Sequence, residues 1–149
     1  MRMKKFEFTL QSVLNLKEQS EKIEKENLAK IMKEIERERE KLENLKKHLQ
    51  EVTKRAKEEV EEGTLMYKLA ETEAYIMKIR EMIEEQANYI LKLEKEAEKI
   101  REGLLKVSKE KKALENLKER QFAEYLYLLN LEQTRVIDEH VSYKVAKSY

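Results

Sequence analysis

The side chains with most scope for chemistry are two histidines, His48 and His140, and the 31 Asp and Glu residues. A zinc site of the His-Glu-x-x-His kind needs two imidazoles four residues apart on one helix face, and neither histidine has a second at that spacing. Carboxylates act as general acids or bases where they converge in a partly dry pocket that shifts their pKa values. Here they are interleaved with 32 Lys and Arg along the whole chain, so no pair stands out. Two glycines cannot form a Gly-rich phosphate loop, and the lack of cysteine removes disulfides and thiolate metal sites. The sequence therefore offers no catalytic residue, no cofactor-binding residue and no metal ligand, and the expected class is non-enzymatic. His48, beside Leu49, is expected to pack its ring on the flank of a helix.

The elements that hold these residues follow from composition. An ordinary domain is about 25% charged and carries its share of glycine and proline. This chain of 149 residues is 42% charged with two Gly and no Pro. A rounded core is out of reach, and a long helical fold is expected. Disorder is disfavoured because the net charge is only +1 and the apolar residues recur at regular intervals. The mixed charge forms no basic stripe for a phosphate backbone, so nucleic acid is not an expected partner. The basic start runs into Glu7, Gln11 and Asn15 instead of an apolar signal core, and no stretch approaches the ~18 apolar residues of a membrane span. A soluble cytoplasmic protein is expected.

Apolar residues three and four apart run through Leu28, Ile31, Ile35, Leu42, Leu45, Leu49, Val52 and Ala56, with Glu38 and Glu59 as polar members. A second series runs from Leu65 and Leu69 through Ile76, Ile79, Ile83, Ile90, Leu93, Ala97, Ile100, Leu104 and Val107 to Leu114, with Thr72, Gln86 and Lys111 as polar members. This is the 3.5-residue period of a coiled-coil seam. The two series are out of phase, and Gly63 sits at the break. Glycine accepts the left-handed conformation that ends a helix, and Thr64 can cap the next. The expected fold is all-α: one antiparallel two-helix coiled coil over 1–149, with helix 1 at about 8–61, a turn at about 62–64 and helix 2 at about 65–145.

The arms are unequal, roughly 50 and roughly 80 residues, or ~75 Å and ~120 Å at 1.5 Å per residue. Pairing back from the turn sets Leu10 near Leu117 and leaves the end of helix 2 projecting. Between Leu14 and Leu28 the seam either passes through Lys17, Glu21 and Glu24 or shifts register through Ile23. Gly103, next to seam residue Leu104, costs about 1 kcal/mol relative to alanine. Pairs such as Glu26/Lys30 and Glu51/Arg55 are solvated helix surface.

Two regions carry more apolar surface than a two-stranded seam can bury. Tyr75, Met82 and Tyr89 recur every seven residues beside the seam of helix 2, accompanied by Met66, Tyr67 and Met77. They either widen the hairpin's own interface or form a stripe for another protein, a use that suits tyrosine and methionine. The second region, Phe122, Tyr125, Leu126, Tyr127, Leu128, Leu129 and Leu131, is apolar nearly all round, and such a helix should be buried. It either folds against Phe6 and Phe8 or is sheathed by another protein. Val136, Ile137, Val141 and Val145 extend it.

The ends carry a family likeness. Phe6, Phe8, Leu10, Gln11, Val13, Leu14, Leu16, Lys17 and Glu18 open helix 1, while Lys118 to Gln121, Glu124, Tyr125, Glu132, Asp138 and Glu139 punctuate the last third. In these motifs, length and hairpin layout the chain resembles the FliJ family, the stalk and general chaperone component of the bacterial flagellar type III export apparatus. The resemblance implies an antiparallel coiled coil similar to the central stalk of rotary F-type ATPases. It further implies partners: the hexameric flagellar export ATPase, whose ring assembly it promotes, the cytoplasmic domain of the export gate, and chaperones that escort export substrates. Phe6, Phe8 and the stretch Phe122 to Leu131 would then serve the ATPase ring, and Met66, Tyr67, Tyr75, Met82 and Tyr89 the gate or a chaperone. Such a protein would be cytoplasmic, peripheral to a membrane-embedded apparatus, and tied to motility. The competing expectations are a self-associating scaffold and a holdase chaperone without an ATPase.

Overall fold

The computed structural model describes residues 4–148 and contains two helices, α1 (Gln11–Glu62) and α2 (Met66–Lys147). They pack against each other, and the described residues are 92% helical with no strand among them. Two compact units are distinguished: one joins the segment up to Lys22 with the segment from Leu105 onward, and the other is Ile23–Leu104.

In the unit Ile23–Leu104 the heptad positions face inward. Ile31, Ile35, Leu93 and Ala97 form one core cluster with Leu28 and Ile100 against it. Val52, Ala56, Ile76 and Ile79 form a second, flanked by Leu49 and Ile83. Ile35 and Ile79 are each only 2% exposed, and burial of such a side chain contributes roughly 1.5–3 kcal/mol. Between the clusters, the polar seam residues Glu38 and Gln86 meet: the Gln86 Nε2 donates to the Glu38 carbonyl at 3.0 Å and to its carboxylate at 2.5 Å. Gly103 lies inside a continuous helix with nothing within 4 Å of where a Cβ would stand, so it marks neither a break nor a close backbone approach.

The helices are joined by Gly63, Thr64 and Leu65. Gly63 has φ 82°, a left-handed conformation, and its N–H reaches the Val60 carbonyl at 3.3 Å. The capping expectation for Thr64 is corrected: Leu65 holds the N-cap position, its carbonyl accepting from the N–H groups of Lys68 (3.1 Å) and Leu69 (3.2 Å). Leu65 accordingly stands exposed and not in the seam. The last turn of α1 has no basic residue, so Glu61 and Glu62 face the negative end of the helix dipole. Both features leave the turn weakly held.

In the other unit α1 begins at Gln11 and not at about residue 8, because residues 4–8 run without regular structure and Phe8 is turned inward and buried. The Gln11 N–H closes on the Phe8 carbonyl at 3.0 Å. The seam does not shift through Ile23, which is 47% exposed. Lys17, Glu21 and Glu24 are half-buried instead. Charge at the seam is tolerated because it is matched: Lys17 pairs with Glu110 at 2.5 Å, while Glu21 accepts from Lys111 at 3.0 Å and Ser108 at 2.8 Å.

Candidate functional site

The terminal unit gathers most of the aromatic residues singled out near the chain ends. The unstructured start places the Phe6 ring edge-on to Phe122, with centroids 5.1 Å apart, and tilted against Tyr125 at 5.6 Å. Phe122 and Tyr125 stack on each other at 6.3 Å, one helical turn apart on α2. Such ring pairs add about 0.5–1.5 kcal/mol beyond their area. Just along the chain, Lys118 Nζ donates to Gln11 Oε1 at 2.7 Å, and Gln11 Nε2 donates to Asn15 Oδ1 at 2.8 Å, so the start of α1 is fastened to α2 by apolar and polar contacts together.

That fastening covers only part of the apolar stretch. Leu129 is half-buried, whereas Leu126, Tyr127, Leu128 and Leu131 are exposed, as are Val136, Ile137, Val141, Tyr143 and Val145 beyond them. Phe6 therefore answers part of the demand for burial, and the remaining face stays exposed among the described residues. The final turn is closed by Lys144 and Lys147, which suit the negative helix end, and Lys147 sits 5.7 Å from the centre of the Tyr143 ring.

In the unit Ile23–Leu104 the tyrosine and methionine side chains divide into two sets. The Tyr75 hydroxyl is 2.7 Å from His48 Nε2, with the rings edge to face at 5.8 Å. The Tyr89 hydroxyl donates to Glu34 Oε1 at 3.0 Å, and that bond, with the carboxylate's charge, holds the phenol above its ordinary range. Both tyrosines are thus tied back to α1. Met66 and Tyr67, beside the turn, are 84% and 60% exposed, and Met77 and Met82 are also exposed.

Other shifted groups are seam groups. The Lys17 hydrogen bond holds Glu110 below the usual carboxylate range, and the Glu21 hydrogen bond holds Lys111 above the usual lysine range. The hydrogen bond from Gln86, then that from Lys41, lowers Glu38. The Glu110 and Lys111 shifts belong to ion pairs between the helices, and that of Glu38 to an amide across the seam and a lysine on its own helix; such structural contacts perturb titration without any catalytic task. Among the described residues, no three His, Cys, Asp or Glu side chains are grouped to hold a metal ion, and no helix is long and apolar enough to cross a membrane.

A family model described as Flagellar FliJ protein matches residues 6–148. The chain belongs to the flagellar FliJ family. It is thereby a flagellar export component, and FliJ is a structural and chaperone family, not an enzyme family. No curated protein and no solved structure matches the chain. In FliJ terms, the match takes in the Phe6 to Leu131 aromatic and apolar cluster and the turn-end side chains alike. Of the charged seam partners, Lys111 was read as a polar seam position but its pairing with Glu21 was not, and Glu110 was not singled out by sequence reasoning. Their signal was present in the opposite charges that Lys17 and Glu21 carry where an apolar residue belongs.

Proposed function

We propose that this FliJ-family chain is a non-enzymatic stalk and adaptor of the bacterial flagellar export apparatus. It engages the hexameric export ATPase through its terminal unit, promotes assembly of the ring, and couples the ring to the cytoplasmic domain of the export gate through the turn end. The observation that carries this reading is the bare apolar face of α2 from Leu126 to Leu131, beside Phe6, Phe122 and Tyr125. A water-exposed face of leucine and tyrosine gains from a protein surround, at about 25 cal/mol per Å² removed from water. Exposed apolar patches on soluble proteins mark such contacts.

Coupling two machines needs a second surface, and Met66, Tyr67 and Met82 supply one at the other unit. Methionine and tyrosine adapt to partners, so escort chaperones and the gate domain are both suited to it. The protein would work in the cytoplasm, peripheral to the membrane-embedded apparatus.

The test is ATP hydrolysis by the purified export ATPase at concentrations where its ring is incomplete, with and without this protein. Stimulation accompanied by ring formation is the expected result. No stimulation and no binding would reject the stalk reading.

A further inference from the structure

The two units are closed by different means. Among the described residues, nine of the eleven buried apolar side chains, all but Phe8 and Leu14, belong to Ile23–Leu104. In the terminal unit, the positions that follow Leu14 on the same face of α1 are Lys17 and Glu21, and their partners on α2 are Glu110, Lys111 and Ser108. Lys17 and Glu110 keep 31% and 37% of their side-chain surface in water. Pairs of this kind add little to stability and weaken with salt, unlike buried leucine. Beyond them the segment is held by the buried side chains of Phe8 and Leu14, by the Phe6 contact with Phe122 and Tyr125, and by the Lys118 to Gln11 bond.

We propose that residues 4–22 form a strap that unzips from α2 along this charged seam while Ile23–Leu104 stays paired, uncovering Phe122 and Tyr125 together with the face around Lys111. Local opening of a weakly packed segment at a free energy below that of global unfolding is ordinary protein behaviour. What is particular here is where the apolar seam ends and the ionic one begins. The strap covers the two rings nearest the bare leucine face, so its release enlarges that face in one step. The inference does not depend on which partner meets the face.

Hydrogen exchange of the full chain, read by mass spectrometry at ~20 mM and ~500 mM NaCl, tests it, because screening over this range shortens the reach of exposed pairs. The expected result is that amides of 11–22 and of 105–118 exchange at least about 10-fold faster than those around Ile31, Ile35, Ile79 and Leu93, with a further rise in high salt confined to the terminal unit. The paired change Lys17→Leu with Glu110→Leu should remove that salt response, and Phe6→Ala should speed exchange in both segments. Equal protection of the two units would overturn the proposal. So would a salt response limited to the first turn of α1 with 105–118 unaffected, which is helix-end fraying and not a strap.

Discussion

Gln86 and Glu38 form a polar layer in the seam of the unit Ile23–Leu104, the amide bonding the backbone carbonyl of Glu38 as well as its carboxylate. A polar residue at a seam position costs stability and specifies register and association state. Gln86→Leu leaves the Glu38 carboxylate, 13% exposed, without its principal donor, so the melting temperature should fall by several degrees. Glu38→Leu with Gln86→Leu should instead raise it and move part of the protein into dimers, since an all-apolar seam accepts a second copy. Light scattering and thermal melting check both; a monomeric and less stable double variant would contradict the layer's role.

The charged seam predicts a pH window. Glu110, lowered by Lys17, contributes stability that is fully present above the unfolded carboxylate pKa of about 4.3 and is lost as pH falls through its lower folded value. Lys111, raised by Glu21, contributes stability present below about 10.4 and lost as pH rises through its higher folded value. Carboxyl titration by NMR should find Glu110 below the ordinary glutamates, and Lys17→Met should bring it back among them.

The two glycines should respond in opposite directions. Gly63 is left-handed at φ 82°, so Gly63→Ala forces a conformation costing roughly 1–2 kcal/mol although nothing crowds the new methyl. Destabilisation with domain-swapped dimers is the expected outcome. Gly103→Ala, in open helical surroundings, should stabilise by about 1 kcal/mol. Denaturant melts of the two variants suffice, and a stabilised monomeric Gly63→Ala would count against the turn.

At the turn end, Met66→Ser with Tyr67→Ser should leave the melting temperature unchanged, because both side chains are largely in solvent. Binding to the export gate's cytoplasmic domain should be lost while stimulation of the export ATPase persists. Pull-down alongside ATP hydrolysis separates the two surfaces.

How much of this was legible in the sequence depends on the type of contact. The alternation that runs through Ile31 and Ile35, and through Ile79 and Ile90, reads directly, because an apolar side chain repeated every three or four residues has one face to bury. The out-of-phase series across Gly63 reads as a reversal for the same reason. The charged seam read only as one of two paths, since the choice of Lys17 and Glu21 over Ile23 rests on partners some 90 positions away, Glu110 and Lys111. The start of α1 did not read: the burial of Phe8 in the irregular segment before the helix is a tertiary choice. For the candidate site, the excess of apolar residues from Phe122 to Leu131 was visible, but the division between rings covered by Phe6 and leucines left bare needed the structure.

On the proposed function, the bare face of α2 is what the export ATPase grips. ATP hydrolysis by the purified ATPase should therefore be compared with the natural chain and with a variant carrying Leu126→Ser, Tyr127→Ser, Leu128→Ser and Leu131→Ser, its helicity first checked by circular dichroism. The variant is expected to stay helical and to lose the stimulation expected of the natural chain. Stimulation by the variant equal to that by the natural chain would contradict it.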